Sequence, residues 1–242
     1  MKDSGFVDFF KEIKALGEVV GNISEGVNNF FKENEDLLSE YRHYIDNFEE
    51  IHKEKWILAA QNGWFPNDFI TLDFEKYVDK GKGEIDTYMV EEIQSVLVNI
   101  HHRIVELYPE RKHILDVAFE LHTQSNYIAS IPLFLTQTDG IFAKYVKSYL
   151  FTERDKRIKN VLEIVGEDSH KAIILAPLLQ NTEFSEYTGN SKRSHKDKAP
   201  NRNGILHGSS KHLDYGSEIN SLKCISLLAY VSTIFLEKQH YK

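Results

Sequence analysis

The chain has 242 residues, of which 41% are hydrophobic and 27% charged, with a formal net charge of −8. These values allow one large domain or two small ones around a substantial core, and they exclude global disorder. The acidic balance also excludes a uniform coat for nucleic acid, so any polyanion site must be a local basic patch.

The opening "MKDSGFVDFFKEIKALGEVVG" has no secretory-signal pattern. Ile23, Val27, Phe30, Phe31, Leu37, Leu38, Tyr41, Tyr44, Ile45, Phe48 and Ile51 recur mainly three and four apart, which is a helix period. The pattern is expected to run through Trp56 to about Gln61, where Asn62-Gly63 breaks it. "GWFPNDF" then reads as an irregular aromatic corner packed by Trp56, Trp64 and Phe65. "VDKGKGEID", at 78–86, reads as a flexible joint and sets the expected boundary between a helical N-terminal region, 1–85, and a second domain, 86–242.

Tyr88, Ile93, Val96, Leu97, Ile100, Ile104 and Leu107 define the next helix, ended by Pro109. "NIHHRI" puts His101 and His102 about 100° apart on that helix, a poor metal pair, and no metal or other cofactor is expected. Ile114, Val117, Ala118 and Leu121 mark another helix. "NYIASIPLFLTQTDGIFAKYVKSYLF" marks a long apolar one with an expected kink at Pro132. Two shorter helices are expected at 153–165 and 168–180, then a polar loop from Glu183 to Asn201. Ser217 is the expected N-cap of a last helix carrying Leu222, Ile225, Leu228, Ala229, Ser232 and Phe235. The lone Cys224, in "LKCISLL", reads as a buried thiol. The class is all-α. The longest apolar runs fall short of the roughly 20 residues that span a bilayer, so a cytoplasmic protein without membrane contact is expected.

Residues 201–208, "NRNGILHG", carry the chemistry. Pro200 suits the first turn of a helix and Gly208 the residue just past its end. Asn203 and His207, four apart, share a face, and Arg202 stands at the start of the turn. Imidazole titrates near neutrality and can move protons. Guanidinium stabilises negative charge developing on a phosphoryl group. The set suits RNA cleavage by the neighbouring 2′-OH, and it equally fits a helix end with polar decoration. Upstream, Asp139 in "FLTQTDGIF" is either an acid on the helix's polar side or a buried one, which needs a partner such as Arg202 or His207. The preceding loop "GNSKRSHKDKAPNRN" is locally basic, at +4, through Lys192, Arg193, Lys196, Lys198 and Arg202. It reads as an RNA phosphate track or a solvated connector. His195 and His212 flank the motif and read as surface histidines able to assist.

Arg202-Asn203-x-x-x-His207 resembles the R-x4-H motif of the HEPN superfamily. "RNGILHG" with "DYGSEINSLKCISLLAYVS" resembles the last two elements of that family's helical bundle, and "YIASIPLFLTQTDGIF" its upstream acidic helix. The resemblance covers roughly 86–242 and implies an antiparallel helical bundle, here with a helical N-terminal extension. It implies a metal-independent endoribonuclease, acting as a homodimer in which two motifs meet in one cleft. It further implies a setting in bacterial toxin–antitoxin, abortive-infection or other antiphage systems, with an antitoxin or defence partner. By position, His207 is then the acid/base, Arg202 the phosphate stabiliser and Asn203 the orienting group. Ser209 stands where one variant of the family has a modifiable tyrosine, so that form of control is not expected. The alternative is a non-catalytic HEPN-like module that binds RNA or protein through the same surface.

The same reading looks to the apolar face of the last helix, or to the "IPLFL" helix, for a dimer interface.

Overall fold

The computed structural model describes residues 47–70, 73–185 and 199–236. The chain divides into two compact units, Met1–Phe48 and Glu49–Lys242, and the second holds nearly everything described. The helical pattern expected over 23–45 lies outside the described residues, as do Lys192, Arg193, His195, Lys196 and Lys198.

Among the described residues there are ten α-helices and no strand: α1 Phe48–Gln61, α2 Phe74–Val78, α3 Lys82–Leu107, α4 Lys112–Thr123, α5 Tyr127–Val146, α6 Arg154–Val165, α7 Ser169–Ile174, α8 Ala176–Leu179, α9 Arg202–Leu206 and α10 Glu218–Thr233. The all-α class is therefore correct. Asn62 and Gly63 end α1, with Gly63 at φ +84°. α3 buries Ile85, Met89, Ile93, Ile100 and Ile104, one stripe at helical spacing, and stops before Pro109. Trp56, Trp64 and Phe74 belong to the same core as the α3 and α10 residues. The stretch 78–86 lies inside the second unit, as the end of α2 and the start of α3. The helix expected over 168–180 is two short ones, α7 and α8, because Pro177 lacks the N–H that would continue the ladder.

α5 runs through Pro132. A proline at this position leaves the carbonyl four residues back, that of Ile128, without its helical donor. The Tyr215 hydroxyl donates to that carbonyl at 3.0 Å. Gly216 makes room for the contact, since a Cβ there would lie 2.4 Å from Ile128 Cγ1.

α10 is the central element, packed chiefly on α5 and α3. Every residue from Asn220 to Thr233 is buried, so α10 is enclosed on all sides rather than amphipathic. It therefore has no free apolar face to serve as a dimer interface, contrary to the sequence reading. Several of its polar residues are partnered inward. The Ser226 hydroxyl accepts from the Phe65 N–H at 2.7 Å and donates to the Phe65 carbonyl at 2.9 Å. Ser221 Oγ meets His122 Nδ1 at 2.8 Å and Ser130 Oγ at 3.2 Å. Cys224 is buried, as expected. No helix of the described residues is long and apolar enough to cross a membrane.

Candidate functional site

The motif forms α9, a five-residue helix closed at both ends by its own sequence. The Asn201 side chain accepts from the Gly204 N–H at 2.7 Å and caps the N-terminus. Pro200 therefore stands ahead of the cap and not in the first turn. At the far end Gly208 takes φ +64°, the Gly208 N–H bonds the Ile205 carbonyl, and the Ser209 N–H bonds the Gly204 carbonyl. That pair of bonds is a Schellman closure, which favours glycine at position 208. Gly204 is fixed by packing: a Cβ there would sit 2.3 Å from Cδ2 of His212. His212 is buried against the motif helix and is not the surface histidine the sequence suggested.

Arg202 is directed inward. Its guanidinium pairs with Asp139 Oδ2 at 3.2 Å, donates to Asn203 Oδ1 at 3.1 Å, and lies over the Phe151 ring at 5.9 Å. Asp139 is thus buried with Arg202 as its partner. Its other oxygen accepts from the Leu150 N–H at 2.8 Å. The Leu150 carbonyl in turn accepts from the buried Arg157 guanidinium, which also reaches the Gln180 carbonyl at 3.1 Å. The Leu150 peptide is held at both ends, and this fixes the Phe151 ring beneath Arg202. Burial pushes the Asp139 carboxyl above its ordinary range, while the Leu150 N–H, Arg202 and the Phe151 N–H pull the other way. With both oxygens engaged, Asp139 acts on Arg202's position and is not free to serve as a base. Gln137, its neighbour in sequence, accepts from Arg111 at 2.8 Å instead.

His207 is the C-cap of α9 and its side chain is exposed. Its ring makes no hydrogen bond or ion pair with the described residues. Within one chain the site therefore offers a guanidinium anchored by Asp139 and Asn203, and a solvent-facing imidazole one helical turn further on. The four lysine and arginine candidates of the preceding loop lie outside the described residues.

Sequence reasoning missed Asn201, Leu150, Phe151 and Glu183. Only Asn201, a cap residue three positions before Gly204, carried a local signal. Glu183 holds the segment leading into α9: its carboxylate accepts from the Ala199 N–H at 2.7 Å, and its carbonyl accepts from the Asn201 side chain at 3.1 Å.

No protein-family model, no curated protein and no solved structure matches this chain.

Proposed function

We propose that this chain is a metal-independent endoribonuclease that cleaves RNA by attack of a 2′-OH on the adjacent phosphodiester. The carrying observation is the motif helix: Arg202 held by Asp139 and Asn203 at its start, and an exposed His207 at its end. In this reading an imidazole accepts the 2′-OH proton, the 2′-oxygen attacks phosphorus, and the 5′-oxygen leaves with a proton from an imidazolium. The Arg202 guanidinium stabilises the charge growing on the phosphoryl oxygens. One copy of the motif supplies one imidazole, whereas the reaction needs a base and an acid. A two-fold pair of chains with both motifs in one cleft supplies both, so the reading includes a homodimer. RNA contact through Lys192, Arg193, Lys196 and Lys198, and a role in bacterial toxin or antiphage defence, rest on the charge of that loop and on the resemblance to the HEPN superfamily.

The test incubates purified chain with RNA in excess chelator. Cleavage leaving 2′,3′-cyclic phosphate and 5′-hydroxyl ends is expected. His207→Ala and Arg202→Ala should each lose about 10²–10⁴ of the rate, with unchanged circular dichroism. Wild-type cleavage by either variant refutes the assignment. RNA binding without cleavage favours the non-catalytic module.

A further inference from the structure

Arg157, on α6, is 2% exposed. Its guanidinium donates to the Leu150 carbonyl and, at 3.1 Å, to the Gln180 carbonyl. Both acceptors are neutral. A guanidinium carries five N–H donors, so much of its capacity is unused, and its Nε is buried without a partner among the described residues. A buried cation is ordinarily paired with an acid. Two acids that could serve are committed elsewhere. Glu153, one helical turn earlier, accepts from the Tyr149 N–H and from Lys156. Asp139 accepts from the Leu150 N–H and pairs with Arg202. Burial lowers the Arg157 guanidinium, Arg154 acts in the same direction, and no described acid opposes them.

This guanidinium lines a cleft of about 250 Å³, its open mouth included. The walls are largely apolar, with Phe65 and Phe151 among them. The partly exposed lining residues, Gln180, Thr182 and Ser185, mark the mouth. The local sequence builds that mouth. α8 ends at Leu179, and Gln180 leaves it in extended conformation with its carbonyl on Arg157. The Ser185 hydroxyl then donates to the Thr182 carbonyl at 3.2 Å and closes the turn that follows.

The shape of the cleft selects the ligand. Its enclosed end has room for about one water-sized group, which excludes a sugar or a base. A guanidinium edge matches two oxygens of a phosphate or a carboxylate. The mouth decides between them. A phosphate turns further oxygens outward, toward the Thr182 hydroxyl, whereas a carboxylate would leave hydrocarbon there. A terminal phosphate can enter end-on, while an internal phosphodiester carries substituents on both sides.

We propose that this cleft binds a terminal phosphate group, with the Arg157 guanidinium at its closed end and Thr182 at its mouth. Inorganic phosphate and the phosphorylated end of an RNA strand both present such a group. The site adjoins the motif, since Phe151 lines the cleft and also lies under Arg202 at 5.9 Å. The proposal does not rest on the ribonuclease reading.

The test titrates the nitrogen-15-labelled full chain with inorganic phosphate at constant ionic strength. It follows the Arg157 Nε–H signal and the Gln180, Thr182 and Ser185 amides by NMR. Saturable shifts with one shared Kd of about 1 mM or tighter are expected, and acetate should bind about tenfold more weakly. Arg157→Lys keeps the charge without the fork and should weaken phosphate about tenfold or more. Thr182→Val keeps the shape without the hydroxyl and should weaken it about fivefold. No saturable shift at these signals, shifts confined to surface cations, or undiminished affinity in either folded variant overturns the site. Acetate as tight as phosphate overturns the phosphate assignment. Should Arg157→Lys fail to fold, the wild-type titration and Thr182→Val still decide.

A short RNA with a 5′-phosphate, compared with the same strand ending in a 5′-hydroxyl, separates the two sources. Shifts from the phosphorylated strand alone support the site with the strand end as ligand. If neither strand moves the signals, saturation by inorganic phosphate supports it with the free ion as ligand. If wild type cleaves no RNA, the ribonuclease reading falls and the phosphate titration still decides the site.

Discussion

Asp139 is the most informative position to perturb, because two effects of known sign oppose each other there. Its carboxylate is 6% exposed and pairs with an Arg202 side chain that is 19% exposed. Removing one partner of a buried ion pair costs about 3–5 kcal/mol, and the residual wetting of Arg202 places this pair near the lower end. Asp139→Ala also takes away the acceptor of the Leu150 N–H. A loss of about 3 kcal/mol lowers Tm by about 6–12 °C for a unit of this length.

Asp139→Asn is a different perturbation. The amide oxygen can still accept from Leu150, and the desolvation that raises the Asp139 carboxyl disappears with the charge. Its cost should be less than half that of alanine. The pH dependence has a definite sign. A carboxyl raised in the folded state contributes stability that is complete below about pH 3.9 and lost as pH rises through the folded value. The stability of wild type relative to Asp139→Asn should therefore decline as pH rises from the acid side. Urea unfolding of the three proteins across pH measures all of this. Asparagine as costly as alanine, or alanine without cost, would refute the reasoning.

Gly204→Ala should destabilise by about 1–3 kcal/mol through overpacking against the buried His212 ring, despite the helix propensity of alanine; an unchanged urea midpoint would show that the ring can move. His122 is lowered chiefly by burial, with Glu218 opposing. Its neutral form contributes stability that is present above about pH 6.5 and lost as pH falls through the lower folded value, so the stability of wild type relative to His122→Gln should fall on acidification below that point, and a flat difference would contradict it.

The parts of the fold that were legible are those specified locally. The isoleucine stripe of α3, the Asn62-Gly63 stop and the Ser217 cap each depend on residues within a turn or two of one another, and each is found where the sequence placed it. Arg202 and Asp139 are 63 residues apart, and the sequence could name the partner only as one of two, because an acid in an apolar helix shows that a cation is needed but not which one. The full enclosure of the central helix was not legible for the same reason in stronger form. Ser221, Lys223 and Ser226 look like the wet face of an amphipathic helix, until His122, Asp86 and Phe65 are found opposite them. Such partners lie about 100 residues or more away, and nothing local announces them. His212 is a further case: its burial follows from the bare Gly204 backbone it packs on, which spacing alone does not reveal.

The geometry of α9 also bears on what a single chain can do. Arg202 is committed inward, to Asp139, Asn203 and the face of Phe151, whereas the His207 ring is exposed. An arginine so held keeps its orientation at low entropic cost when a phosphate arrives, which is what electrostatic stabilisation of a transition state requires. An exposed histidine with no held orientation has the opposite character. Under the proposed reading, it would acquire a fixed position from the RNA or from a second copy of the motif. In the proposed homodimer a second copy would approach over the outer surface, since α10 is enclosed within its own chain. Exposed apolar side chains there include Leu206, beside His207, and Leu213. A catalytic pair of histidines would then form at the contact itself, and activity would depend on chain concentration as well as on His207.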